Sequence, residues 1–167
     1  MDLRARDDIA ELVHRYADAV TTRDLDRWTA CWADDAIWTL RPGRPAIGRD
    51  DIVALLLSAL STLDGVVQNV LNGEVRIDGD RASGRWHIQE HLRRVTGEPV
   101  LFLAHYDDTY TRRDGRWYFA SRTLVTHYQG PPDLSGGFTA SSDRHDDKNN
   151  GDHSHNDTDS SKEGRTS

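Results

Sequence analysis

The sequence predicts an α+β fold, a cone in which N-terminal helices pack on a curved, mostly antiparallel sheet. In the first sixty residues, apolar side chains recur at helical spacing, whereas beyond residue 66 they alternate with polar ones as in half-buried strands. Short turn sequences join the predicted strands as successive hairpins, and the strongest is Asp114-Gly115. The sheet must bury one face, and the helices are available to cover it. This arrangement leaves a pocket inside the cone.

The helices are predicted from apolar faces and capping residues. The first has apolar residues at i, i+3, i+4 and i+7: Ile9, Leu12, Val13, Tyr16, Ala17 and Val20. Asp24 is placed to cap a second helix, whose apolar face holds Leu25, Trp28 and Trp32. A short strand at 36–40 and a loop at 41–48 follow. Asp50 or Asp51 is expected to cap a third helix at 52–60.

Four long strands complete the predicted domain, at residues 66–77, 82–95, 100–112 and 116–128. We expect a single folded domain over residues 1–138. From Thr139 to Ser167 the only apolar residue is Ala140, which is too little apolar surface to offset the entropy of ordering. Residues 139–167 are therefore predicted to form a disordered acidic tail rich in Ser, Asp and His.

Composition and charge narrow the functional classes. The tail holds seven acidic and four basic residues, so it accounts for nearly half of the net charge of −7. The remaining domain is only mildly acidic, which argues against nucleic acid as a partner. We expect no contact with a membrane, because the sequence has no apolar stretch approaching ~18 residues and no apolar core of a signal peptide. With a single cysteine, Cys31, a cytoplasmic location is expected.

Strand parity places two charged residues toward the interior. Glu90 shares a strand face with Trp86, Ile88 and Leu92, where desolvation raises the pKa of a carboxyl group. It is either a general acid or base, or one half of a buried ion pair with Arg122 or Arg94. Arg122 is predicted to share its face with Tyr118, Ala120 and Leu124, opposite to Trp117, Phe119 and Ser121. It is either a donor to substrate or part of an ion pair with Asp108 or Glu90.

Several segments carry a resemblance to a known family, in matching order across residues 5 to 128. They are YADA, RDLDRW, CWADDAIWTL, IGRDDI, IDGDRA and YDDTYTRRDGRWYFASR. With them the chain resembles the SnoaL-like branch of the nuclear-transport-factor-2-like superfamily, and its pattern is most similar to the hexachlorocyclohexane dehydrochlorinase and scytalone dehydratase-type enzymes. This fold hosts many functions, so the resemblance is more specific for fold than for activity.

The resemblance implies a pocket inside the cone. Asp24 matches an aspartate that orients a catalytic histidine, and Arg122 matches an arginine that stabilises developing negative charge. The histidine itself is replaced by Gln68, which cannot accept a proton near neutral pH. Glu90 is expected to take over its role. The positions that match or are expected to form the pocket wall are Trp38, Trp86, Ile88, Phe102, Tyr106 and Thr126.

Two functional hypotheses follow. The first is a cofactor-free lyase of the dehydratase type, or an isomerase, acting on a small hydrophobic oxygenated substrate. Asp24, Glu90 and Arg122 would be its catalytic residues, and Gln68 would help to hold the substrate. The second is a non-catalytic ligand-binding or assembly subunit, such as the small β subunit of a ring-hydroxylating dioxygenase. A homodimer or homotrimer fits both hypotheses.

Histidines are not expected to form a metal site in the domain. His87, His91 and His105 are predicted on the outer face of the sheet, as surface or interface residues. His145, His153 and His155 lie in the predicted tail, at a loose spacing that permits adventitious metal binding. The sequence therefore predicts neither a resident metal nor another cofactor.

Overall fold

A computed structural model of the protein describes residues 3–139, so the predicted tail lies outside the described residues apart from Thr139. Within this range the elements are α1 (Leu3–Thr22), α2 (Leu25–Thr29), β1 (Trp32–Thr39), β2 (Ala46–Ile47), α3 (Arg49–Leu60), β3 (Leu63–Asp78), β4 (Arg81–Arg94), β5 (Pro99–Arg113) and β6 (Arg116–Gly130). No helix among these residues has the length and apolar character needed to cross a membrane.

The strands form one sheet in the order β2-β1-β6-β5-β4-β3. Neighbouring strands are antiparallel except for β1 and β6, which are parallel. The sheet is not closed, since β2 and β3 remain as its edges. Helix α1 nevertheless contacts both β3 and β6, so the sheet curves around it. The predicted α+β fold, with helices on a curved and mostly antiparallel sheet, is confirmed.

The region around Trp32 differs from the prediction. Helix α2 ends at Thr29, and β1 begins at Trp32 rather than at Ala36. Trp32 pairs with Phe119 of β6, and the Phe119 N–H donates to the Cys31 carbonyl oxygen at 2.9 Å. Pairing with β6 therefore overrides the helical spacing of Trp28 and Trp32, and both indoles are fully buried on the concave side.

The start of α3 also differs. Its N-cap is Gly48, with φ 83° and no side-chain cap, whereas Asp50 and Asp51 lie in the first turn. Carboxylates in the first turn stabilise a helix by interacting with the positive end of its dipole. Asp50 and Asp51 therefore stabilise the N-terminus of α3 through its dipole and not as the N-cap residue.

The hairpin between β5 and β6 has the predicted turn but a different parity. Asp114 and Gly115 have φ of 51° and 76°, as a type I′ turn requires. A β-bulge then shifts the register, because Tyr110 pairs with Phe119 whereas Thr109 pairs with Ser121. The extra residue turns Phe119, and with it Trp117, onto the buried face that also holds Arg122. The predicted separation of these two aromatic residues from Arg122 was wrong.

Candidate active site

Arg122 lies at the centre of the concave face and is only 1% exposed. Its Nε and Nη2 donate to the Asp108 carboxylate at 2.9 and 3.0 Å. The two residues are directly opposite each other in the β5–β6 ladder. The guanidinium carbon also lies 4.0 to 4.3 Å from the ring centroids of Tyr106, Phe119 and Tyr16. Arg122 is thus a fixed positive charge in an aromatic environment.

The ion pair belongs to a longer chain of hydrogen bonds. The Tyr110 hydroxyl donates to Asp108 Oδ2 at 2.8 Å, and Trp86 Nε1 donates to that hydroxyl oxygen at 3.0 Å. Burial raises the pKa of Asp108, whereas Arg122 and Tyr110 oppose the increase. Burial lowers the pKa of Arg122, but Asp108, Tyr16 and Tyr106 together outweigh this effect and the net pKa is raised. With three donors on the carboxylate, we expect both groups to be ionised at neutral pH.

Glu90 is a second carboxyl group on the concave face, and among residues 3–139 it has no ion-pair partner within salt-bridge distance. Gln68 Nε2 donates to Glu90 Oε1. Of the two arginines predicted as partners, Arg122 is paired with Asp108 and Arg94 with Glu98. Burial raises the pKa of Glu90, whereas the Gln68 hydrogen bond and the positive charge of Arg122 lower it. The net effect is upward, so this carboxyl group holds its proton to a higher pH than an exposed glutamate does.

Two phenols lie between these groups. Tyr16 of α1 and Tyr106 of β5 interact through their hydroxyls, and both lie over the Arg122 guanidinium. Burial raises the pKa of Tyr16 to about 12, even though Arg122 lowers it, and burial raises that of Tyr106 well above its ordinary value. Both phenols therefore remain protonated donors at neutral pH.

The predicted wall residues divide into two groups. Ile88, Phe102 and Tyr106 form one buried cluster with Ala104, and half-buried Thr126 pairs with Ala104 across the β5–β6 ladder. Trp38 instead packs against Trp28 and Trp32, with ring centroids 5.3 and 5.7 Å apart. Trp38 and Trp86 both belong to the larger core cluster beneath the helices.

Asp24 is exposed and caps α2, as predicted. Its carboxylate accepts from the Arg27 backbone N–H at 3.0 Å. It also borders a cleft of about 270 Å³, which α1, α2 and α3 form around Trp28 and Leu56. Gln68, Glu90 and Arg122 do not line this cleft, so the structure separates Asp24 from the other predicted catalytic residues.

We expect substitution to separate two properties of the Asp24 side chain, its capping hydrogen bond and its negative charge. Asp24→Ala will lower the free energy of unfolding by about 1 kcal/mol, because it removes the cap, whereas Asp24→Asn will leave it nearly unchanged. Urea unfolding measures both values. Equal losses in the two variants would show that the negative charge, and not the capping geometry, stabilises the protein.

A second cleft, of about 340 Å³, lies between α1 and β3 and is bordered by His14, Thr21 and Gln68. The Gln68 backbone N–H donates to Thr21 Oγ1 at 3.0 Å, which fixes β3 against α1. The Gln68 amide oxygen is buried and has no hydrogen-bond partner among the described residues. Gln68 therefore connects this cleft with Glu90. Its unpaired amide oxygen is a hydrogen-bond acceptor near the Glu90 carboxyl group.

The sequence did not single out Tyr16 or Tyr110 as site residues. Tyr16 fitted the apolar face of α1, and only its hydroxyl distinguished it from a core residue. Tyr110 shares a strand face with Tyr106 and Asp108, and this parity was the available signal.

Comparison with known proteins agrees with this fold. Residues 1–123 match the SnoaL-like domain family. The chain is 27% identical over 132 residues to γ-hexachlorocyclohexane dehydrochlorinase from Sphingobium indicum, covering 77% of this chain and 85% of that protein.

Solved structures show the same architecture. A type 2 hexachlorocyclohexane dehydrochlorinase superposes with a TM-score of 0.73 at 24% identity, covering 84% of this chain and 96% of that one. A putative scytalone dehydratase from Novosphingobium aromaticivorans also gives 0.73, at 20% identity, covering 77% and 88%. At such identities the two superpositions establish the fold alone.

Proposed function

Because this chain belongs to the SnoaL-like domain family, we propose that it is a cofactor-free lyase of the dehydratase type, or an isomerase, acting on a small hydrophobic oxygenated molecule. The observation that carries this proposal is the pairing of Glu90 with an amide and not with a cation. Glu90 is half-buried, and a carboxyl group that is withdrawn from water without a counterion destabilises a fold. Such groups concentrate at functional sites.

Glu90 is the proposed general base. Its carboxylate removes a proton from the carbon adjacent to the one that bears the leaving group, the C–H electron pair becomes the new C=C bond, and the leaving group departs with its bonding pair. In an isomerase the same carboxyl group would return the proton to another carbon. Its raised pKa makes it a stronger base than an exposed glutamate, and Gln68 holds it in place.

Arg122 and the two phenols are proposed to stabilise the negative charge that develops. Asp108 accepts hydrogen bonds from two of the Arg122 nitrogens. Arg122 therefore stabilises the developing negative charge mainly by electrostatic attraction through an apolar region, and not by a direct hydrogen bond. Tyr106 and Tyr16 carry the protons that can be donated to a departing oxygen or halide. The apolar wall of Ile88 and Phe102 lowers the local dielectric and strengthens both effects.

The relatives suggest two substrates for a first assay. We propose to measure chloride release from γ-hexachlorocyclohexane and loss of water from scytalone, with purified protein that has been dialysed against EDTA. Loss of water from scytalone, the oxygenated compound of the two, is expected and should be unchanged by the chelator, whereas chloride release from γ-hexachlorocyclohexane tests whether the site also accepts a halide as leaving group. Release that requires an added metal or organic cofactor would contradict the proposal.

One observation favours the second candidate, a non-catalytic binding or assembly subunit. The space around Arg122 is filled by Asp108 and aromatic rings, as in a structural core. An assembly role would use the outer face, where Val67 and Val125 are 46% and 37% exposed. A stable homodimer or homotrimer in light scattering, together with tight ligand binding and no turnover, would favour this candidate.

A further inference from the structure

Three histidines meet on the outer face of the sheet, on the side opposite to Arg122. They are His87 of β4, His105 of β5 and His127 of β6, and their nearest ligand atoms all lie within 4.8 Å of one another. His87 and His105 are directly opposite in the β4–β5 ladder. The sequence placed His87 and His105 on this face but predicted no cluster of metal ligands in the domain.

The third histidine lies at a β-bulge. Leu103 pairs with Tyr128 and Ala104 with Thr126, so His127 is the extra residue between two ladder positions. Strand alternation places His127 on the same face as Val125, which is opposite His105, and the bulge leaves it outside the ladder there. His105 Nδ1 and His127 Nε2 are 2.8 Å apart, and the His87 and His127 rings are stacked with centroids 5.9 Å apart.

The spacing suits a tetrahedral metal ion after small side-chain rotations. With Zn–N bonds of 2.0–2.1 Å, two ligand nitrogens of a tetrahedral site lie about 3.3 Å apart. The observed 2.8 Å separation is slightly shorter than this value, and the cluster limit of 4.8 Å is longer. Rotation about the side-chain torsions of half-buried His87 and His127 adjusts such distances without moving the backbone.

A carboxylate lies beside the most buried of the three histidines. His105 is 7% exposed, and its second ring nitrogen, Nε2, lies 3.4 Å from Asp107 Oδ2. Asp107 is itself held by Arg85, whose Nε and Nη2 donate to it at 2.7 and 3.2 Å. A carboxylate behind a ligating imidazole fixes its tautomer and orientation, as in many metal sites. His105 Nε2 makes no hydrogen bond among the described residues, and a small ring rotation that aims its N–H at Asp107 would leave Nδ1 as the ligand atom.

We propose that His87, His105 and His127 form a binding site for a transition-metal ion, with Zn²⁺ as its natural occupant and a fourth position open to water or an added ligand. Three neutral imidazoles favour Zn²⁺ over Mg²⁺ and Ca²⁺, which prefer oxygen ligands. The site is on the other face of the sheet from Glu90 and is independent of the proposed lyase chemistry.

The histidines of the tail are the main competitors. The Thr139 N–H donates to the His127 carbonyl oxygen at 2.8 Å, so the described chain ends beside the cluster. The sequence continues with His145, His153 and His155. A test must therefore separate the three cluster histidines from these three.

The test uses the full chain, with Zn²⁺ titrated in competition with a chromophoric chelator. We expect wild type to bind at a single high-affinity site, and His87→Ala and His105→Gln to bind at least ~10-fold more weakly. Two controls should bind as wild type. One is the triple variant His145→Ala/His153→Ala/His155→Ala, and the other is His91→Ala, at an exposed histidine of β4. Circular dichroism checks that each variant is folded.

A second readout does not depend on any variant. Co²⁺ added to wild type should give the intense visible absorption of a four-coordinate site, and Zn²⁺ should displace it. Binding that survives in His87→Ala but is lost in the triple tail variant would overturn the proposal. So would the absence of both Zn²⁺ competition and the Co²⁺ spectrum, which would leave the cluster as hydrogen-bonded and stacked imidazoles.

Discussion

Asp108→Ala will lower the free energy of unfolding by about 3–5 kcal/mol, the largest effect that we expect from a single substitution. The change leaves the Arg122 guanidinium without its counterion at a position that is 1% exposed. It also removes the acceptor of the Tyr110 hydroxyl. Urea unfolding followed by circular dichroism measures the loss.

Asp107→Ala is the matched control, one residue earlier in the same strand. Asp107 is on the outer face, and its side chain is 45% exposed and paired with Arg85. We expect this substitution to cost less than about 1 kcal/mol. Replacing both members of the buried pair, as in Asp108→Leu/Arg122→Met, should restore much of the lost stability, because no unpaired charge remains. Similar losses for Asp107→Ala and Asp108→Ala would contradict the assigned importance of the buried pair.

Glu90→Gln will lower kcat by about 10²–10⁴-fold, the usual contribution of a general base. The amide keeps the size of the side chain but cannot accept the substrate proton. In wild type, kcat/KM should rise with pH through a pKa above that of an ordinary glutamate, because burial raises the pKa of Glu90. Chloride or water release, measured as a function of pH, tests both statements. A wild-type kcat in the variant would end the proposed mechanism.

The same substitution should stabilise the fold at neutral pH. Since the folded-state pKa of Glu90 is raised above the unfolded value, its contribution to stability is greatest below the unfolded pKa and is lost as pH rises through the folded pKa. A glutamine has no such loss, so the Tm gain should be larger at pH 8 than at pH 4. Glu98→Gln is the control, since Glu98 is 63% exposed and paired with Arg94. It should change neither Tm nor kcat appreciably.

The sequence predicted the fold well because its signals were local. The helical spacing of α1, the Asp114-Gly115 turn and alternating strands are properties of short windows, and each one was found in the structure. The inward direction of Glu90 was predicted for the same reason, since no bulge interrupts β4 between Trp86 and Glu90 in its pairing with β5.

The errors have a common physical cause, which is pairing between distant segments. The spacing of Trp32 from Trp28 fitted a helix, but in the structure Trp32 pairs with Phe119 of β6. The bulge of β6 at Ala120 arises from the fit of that strand to β5, and it reversed the directions that were predicted for Trp117 and Phe119. Alternation within one strand contains no information about such insertions. Likewise, the sequence left open whether Asp108 or Glu90 pairs with Arg122, because both face the interior.

The Asp108–Arg122 pair has a consequence for how the chain selects one strand alignment. Consecutive residues of β5 face opposite sides of the sheet, so a slip of one position would bring Asp107 inward and carry Asp108 out. Arg122 would then be opposite Asp107, so its charge would still be compensated, but Tyr110 and its hydrogen bond to Asp108 would leave the buried face. A slip of two positions keeps each residue on its face but puts Arg122 opposite Tyr106 or Tyr110, which buries an uncompensated charge, so the ion pair acts as a register lock against such slips.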